Sequence, residues 1–443
     1  KGTRLAPLPG GENNNKPGVK LPASVTLKTG VAPITILEAV IKQTGCYAAS
    51  RTGRLSVFWG DQIFVPSESV TYTPKHHVDI LCRMGPMVNE VEWKEKGLQN
   101  YGLIVQGMDG EAAQVEKVDH PTALKMLKSF GEIDSVGASL GSFSLSGEFL
   151  ACLLVEFEHE LSAKEGKMDS DPHFWMPMTL DRQVYCDVMS KKGMTSVSAG
   201  VHFDRISKMM TAFRSVDKHK TLGTFGAVNI GAVCSWWDYG QLKLYQQNAL
   251  LMLSDSEDGQ RMRDFFGVGK PCCGIGAFLQ KASRISDSTV GGVDIDKDSV
   301  VLTSTIGSGS VRGSIVNNVR CNDIQAEGCI LVNVTAKKIV AKPGSIVYNV
   351  CDAESDCLVI EDKDVLVGIV DDKGAQVNMR SNMDTDGGKT WDSKIPGNRF
   401  SFSQIYERNS TADPIALEAI IKKKHADAWK EISTMSFFSG LST

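Results

Sequence analysis

The chain has no apolar run of about eighteen residues, the least a membrane-spanning helix needs, so neither a transmembrane segment nor a membrane partner is expected. The first residues have no apolar core segment either, and they do not read as a secretory signal. There is no C-x-x-C pair. The eleven cysteines are scattered from Cys46 to Cys357 and odd in number, which argues against a clustered zinc site and against a disulfide framework. They read instead as reduced, mostly buried thiols in the cytoplasm or another reducing compartment such as a plastid. Long blocks of one charge sign are also missing. With a net charge of −4, the chain offers no basic glove for nucleic acid. Glu156–Leu161 (EFEHEL) lacks the H-E-x-x-H spacing of a metalloprotease and reads as a solvated helix face. Asn333-Val-Thr335 and Asn409-Ser-Thr411 match glycosylation triplets, which carry little weight without secretion.

What is present suggests several domains, since 443 residues can bury a full core. Residues 1–265 alternate strand-like apolar runs with helical stretches, the rhythm of an α/β domain with a mostly parallel sheet. The strand candidates are Leu55–Trp59, Val78–Arg83, Gly102–Gln106 and Val228–Val233; Ile34–Gln43 and Gln241–Leu253 read as helices. Residues 266–282 read as a linker. From 283 to 400 the texture changes, and one pattern repeats: SVVLTS at 299, SIVNNV at 314, CILVNV at 329 and SIVYNV at 345. A unit this short cannot bury a face alone, so the copies must stack as coils of a β-solenoid. Ile315, Ile330 and Ile346 should then form one aliphatic column. Within 401–443, Asp413-Pro414 caps and starts a last helix.

Three features carry chemistry. Gly2-Thr3-Arg4 with Lys16 places bare backbone N–H groups and two cations in an opening loop suited to polyphosphate. Trp59-Gly60-Asp61 puts a carboxylate after a strand, where open α/β sheets bind ligands. Ser235-Trp-Trp-Asp238-Tyr-Gly240 does the same before a helix. Two such aspartates and a phosphate loop suit Mg²⁺, which takes few carboxylates and completes its shell with water and substrate oxygens. Either aspartate alone would be read as a turn residue. Among lesser features, Asp294-Ile-Asp296-Lys-Asp298 reads as a turn at the solenoid entrance. His76-His77 reads as a turn cap, and Asp169–Trp175 as a packed loop that could line a pocket.

The stretch GTRLAPLP…KP…LP resembles the signature loop of sugar-1-phosphate nucleotidyltransferases. WGDQ is similar to that family's Gly-Asp metal motif, Val115-Glu116-Lys117 to its V-x-E-K sugar-phosphate motif, and WWDYG to its W-x-D-x-G motif. The resemblance spans most of residues 1–350. It implies a Rossmann-like, type A nucleotidyltransferase sheet followed by a left-handed β-helix, which could also mediate homo-oligomers. The reaction it implies joins a nucleoside triphosphate to a sugar 1-phosphate and releases pyrophosphate. Asp61 and Asp238 would hold Mg²⁺, Arg4 and the loop amides (Gly2, Thr3) the departing pyrophosphate, and Lys16 the reacting phosphates. Glu116 and Lys117 would meet the sugar phosphate. The chain departs from the family pattern in several places. Val118 stands where the family has proline, the coil spacing is shorter than three hexapeptides, and the family's leading strand and glycines would have to precede Lys1. The long Arg4–Lys16 gap resembles the eukaryotic fucose-1-phosphate guanylyltransferases and leaves Lys20 as a rival lysine. Uridine with glucose is the favoured pair, and guanosine with a fucose- or mannose-type sugar stays open. The alternative is a non-catalytic structural or regulatory homologue.

Overall fold

A central mixed sheet organises the first half of the computed structural model, which describes residues 54–58, 61–66, 69–70, 72–95, 98–116, 118–127, 131–163, 170–231, 233–268, 284–385, 390–409 and 412–434. Its strands are β1 (Arg54–Val57), β3 (His76–Gly85), β4 (Gly102–Gly107), β5 (Ala112–Glu116), β6 (Ile133–Ser146) and β7 (Gly223–Asn229); β2 (Gln62–Val65) lies outside it. The order is β5-β4-β6-β3-β7, with β1 also on β6. The expectation of a mostly parallel sheet needs correction for the described strands. Only β3 and β7 run parallel; β1–β6, β3–β6, β4–β5 and β4–β6 are antiparallel. The reason is local. A tight turn through Gly110, with φ of 87°, joins β4 to β5 and leaves no room for a crossover. The unbroken apolar run Leu103-Ile104-Val105 is fully buried because both faces of this antiparallel strand are covered.

Two helices, α1 (Gly147–Glu156) and α2 (Ser196–Ser215), cover one face of the sheet. Ile80 and Phe143 from the strands pack with Phe149, Leu153, Met209 and Phe213 from the helices. Ser146 caps α1, its Oγ accepting from the Phe149 N–H at 3.2 Å. His76 and His77 are buried inside β3 and do not cap a turn. Nδ1 of His77 sits 2.7 Å from Ser146 Oγ, and Nδ1 of His76 3.1 Å from Asp79 Oδ1. Arg54 donates to Asp79 Oδ2 at 2.9 Å and to the His76 carbonyl at 2.6 Å, so the buried Asp79 carboxylate is paired from two sides. EFEHEL is solvated in part: Glu158 and His159 are exposed, whereas Phe157 is buried. Glu156 and Glu160 both bond Arg205, whose guanidinium lies 4.7 Å from the centre of the buried Phe157 ring. Phe174 and Trp175, expected in a packed loop, lie in a buried helical turn over Asp171–Trp175.

The chain forms two compact units, and they divide at Cys234/Ser235; Asp61–Ile63 also belongs with the second. Thus β8 (Ser235–Asp238), α3 (Leu242–Leu251) and α4 (Glu257–Phe266), which all start before the sequence-based boundary at 265, go with the solenoid. The solenoid comprises β9 (Ile285–Ser286), β10 (Thr289–Ile295), β11 (Val300–Leu302), β12 (Thr305–Arg312), β13 (Ile315–Glu327), β14 (Ile330–Ala336), β15 (Lys338–Ala341), β16 (Ile346–Asp352), β17 (Leu358–Ile360) and β18 (Asp364–Val370). These pair in parallel, coil on coil. An antiparallel β19 (Gln376–Asn382) then pairs with β18.

The repeated hexads are in register. Val300, Ile315, Ile330, Ile346 and Val365 stack as neighbours, as do Val301, Val316, Leu331, Val347 and Leu366. The second column fills the solenoid interior. The first, the expected isoleucine column, is buried from the other side, beneath α3. At the fifth place Thr303, Asn318, Asn333 and Asn349 all take positive φ, between 45° and 59°, a backbone conformation asparagine tolerates best after glycine. Nδ2 of Asn318 donates to Asn333 at 2.8 Å, Nδ2 of Asn333 to Asn349 at 2.5 Å, and Nδ2 of Asn349 to the Gly368 carbonyl at 2.9 Å. The Asn333 triplet is therefore part of this ladder, and a glycan on its amide would break it. As expected, Asp296 forms a turn at the solenoid entrance, receiving the Gly313 N–H on both oxygens. The last helix, α6 (Pro414–Thr434), packs on β13, β14 and β16, after a short α5 (Phe402–Arg408). Its His425 is buried, with Nδ1 2.9 Å from Thr335 Oγ1.

Candidate functional site

Asp61 and Asp238 converge. β2 pairs with β8, which brings the turn before β2 beside the turn after β8. The Tyr239 N–H donates to the Asp61 carbonyl at 2.7 Å and closes that junction. Asp238 then folds its carboxylate back on its own turn, with Oδ1 receiving the Gly240 N–H at 2.7 Å. A side chain at residue 240 would start 3.0 Å from Asp238 Oδ1 and 3.0 Å from Asp61 Oδ2. The two oxygens therefore face one small space, which glycine leaves open.

The oxygens facing this space are donors of the type a small hard cation takes. Two carboxylates from different turns supply charge, and one is already oriented by a backbone N–H. Among the described residues no group of three or more His, Cys, Asp or Glu side chains is placed to cage a metal. Tyr239 stands beside the site with its ring 6.0 Å from that of Tyr245, and burial, then the neighbouring Tyr245, pushes its hydroxyl pKa up to about 12.

The sequence motif also missed a residue. Asn248, on α3, donates from Nδ2 to the Asp238 carbonyl at 2.6 Å. No local pattern marks it, because its role follows from the direction in which α3 leaves the turn. Glu116 ends β5 opposite Gly102. Gly2, Thr3, Arg4, Lys16, Lys20, Trp59, Gly60 and Lys117 lie outside the described residues, as does the helix expected over Ile34–Gln43.

The eight cysteines among the described residues form no disulfide with one another, and burial pushes Cys329 and Cys351 up to about 11 and raises Cys82 and Cys321 as well. Among the described residues no helix is long and apolar enough to cross a membrane. No protein-family model and no curated protein matches this chain.

Proposed function

We propose that the protein is a sugar-1-phosphate nucleotidyltransferase. The convergence of Asp61 Oδ2 and Asp238 Oδ1 on the space at Gly240 carries this reading, because the resemblance assigns its two metal aspartates to these residues. The same reading entails a Rossmann-like core, of which the parallel β3–β7 pair would be part, and a left-handed solenoid.

The chemistry follows from the residue roles. An oxygen of the sugar phosphate attacks the α-phosphorus of the nucleoside triphosphate in line. The new P–O bond forms as the bond to the β-phosphate breaks, and pyrophosphate leaves with the electron pair. Mg²⁺, when bound, neutralises charge on the two reacting phosphates. Asp61 and Asp238 fix where that charge sits, and the Gly240 N–H holds the Asp238 carboxylate in its rotamer. Arg4 and the Gly2-Thr3 amides hold the departing pyrophosphate, and Lys16, or Lys20 in its place, stabilises charge at the reacting phosphates. Glu116 accepts hydrogen bonds from sugar hydroxyls, and Lys117 pairs with the sugar phosphate. Incubating the protein with Mg²⁺, a panel of nucleoside triphosphates and a panel of sugar 1-phosphates tests this. One pairing should yield the ³¹P resonances of a diphosphate-linked sugar. A spectrum unchanged for every pairing would instead favour the non-catalytic homologue.

A further inference from the structure

The turn that carries Asp238 is fastened to the solenoid. Helix α3 starts just after that turn and lies on the outer aliphatic column. Leu242, Tyr245 and Ala249 recur three and four residues apart and, with Leu250, pack against the column that contains Ile315, Ile330 and Ile346. A polar tie reinforces the contact, with Gln246 Nε2 donating to the Gly344 carbonyl at 2.7 Å between two coils. From the same helix Asn248 reaches back to the Asp238 carbonyl at 2.6 Å. The turn thus has three anchors, which are the Asp61 strand, its own Gly240 N–H and a helix seated on the solenoid.

We propose that Asn248 is a positioning residue for the Asp61–Asp238 pair, and that the solenoid column beneath α3 is the mount through which it acts. The solenoid is then a working part of the site and not only an appendage for assembly. The inference rests on the nucleotidyltransferase reading for its functional consequence but not for its structural one. Groups that hold a metal ligand in place typically change metal affinity by about ten- to a hundredfold when removed.

Two variants of the full chain test it. Asn248→Asp keeps the side-chain shape and replaces the N–H donor with an acceptor facing a carbonyl. Ile330→Val trims one methylene from the column and should leave the chain folded. Two readouts are needed, namely amide hydrogen exchange at Tyr239 and Gly240 and the Mg²⁺ concentration giving half-maximal pyrophosphate release. The inference expects exchange at both amides to quicken by about tenfold in Asn248→Asp and measurably in Ile330→Val. It also expects the Mg²⁺ requirement to rise by about tenfold in Asn248→Asp, with turnover at saturating Mg²⁺ largely kept. A purely structural role would lower the unfolding midpoint and leave the Mg²⁺ requirement alone, and that result overturns the proposal. Unchanged exchange in both variants overturns it too. If the wild type releases no pyrophosphate, the enzymatic reading fails, and the exchange data alone still decide whether the solenoid and Asn248 hold the turn.

Discussion

Truncating Ile330 to alanine removes three carbons from a side chain that is 1% exposed. Its neighbours are Ile315 below, Ile346 above and the apolar stripe of α3 across the column. Parallel hydrogen bonds on both sides hold the strand, so the space cannot close by sliding. The loss should therefore lie in the range of about 2–5 kcal/mol found for well-packed aliphatics. The residue is on the outer column, so the damage has a direction. On the sequence alone the damage would spread through the C-terminal domain first and activity would survive mild temperatures, because the chemistry was placed before residue 265. The structure puts Asp61 and Asp238 in the same compact unit as the solenoid, so α3 and the Asp238 turn should loosen together with the coils. Denaturant unfolding measures the magnitude, and exchange at α3 and at Tyr239 measures the direction. A loss below about 1 kcal/mol would mean that the column is not packed under α3, and the reasoning would fail.

Four further outcomes are expected. Gly240→Ala places a carbon 3.0 Å from both aspartate oxygens, so it should weaken Mg²⁺ binding while leaving the fold intact; isothermal titration with Mg²⁺ reads it. Asp79→Ala strips the buried carboxylate from Arg54 and His76 and should cost about 3–5 kcal/mol in urea unfolding. Asn333→Ala loses two ladder bonds and leaves alanine at positive φ; it should cost about 2–3 kcal/mol, with Asn333→Gly recovering the backbone share. His425 is buried, and burial first, then Arg320, lowers its pKa to about 4. The unfolded chain binds that proton below pH 6.5 and the folded chain does not, so this contribution to stability falls between pH 6.5 and 4, by at most about 1.4 kcal/mol per pH unit. His425→Gln should flatten that part of the wild-type stability profile, and an unchanged slope would contradict the assignment.

The solenoid was legible because its physics is local and repeated. A small residue, an aliphatic pair and an asparagine recur where a coil needs an inward side chain, an outward one and a left-handed corner. Which column faced inward was not legible, since Ile330 and Leu331 are equally apolar and only the position of α3 distinguishes them. Strand direction in the first unit was hidden for a similar reason, because a strand buried on both faces reads the same in either orientation. The aspartate pair was legible as two turns, but their meeting depends on β2 joining β8 across more than a hundred and fifty residues, and no local pattern encodes that. Asn248 was silent in the sequence because its role follows from the direction in which α3 leaves the turn.

The most direct test of the central claim compares pyrophosphate release by the wild type and by Asp238→Asn, at saturating Mg²⁺ and with the triphosphate and sugar phosphate that the panel identifies. An amide keeps the shape of the turn but cannot offer the negative oxygen a hard cation requires. The account predicts release that depends on Mg²⁺ in the wild type and is nearly abolished in the variant, with unchanged circular dichroism. A variant that folds and keeps most of the wild-type rate would contradict it.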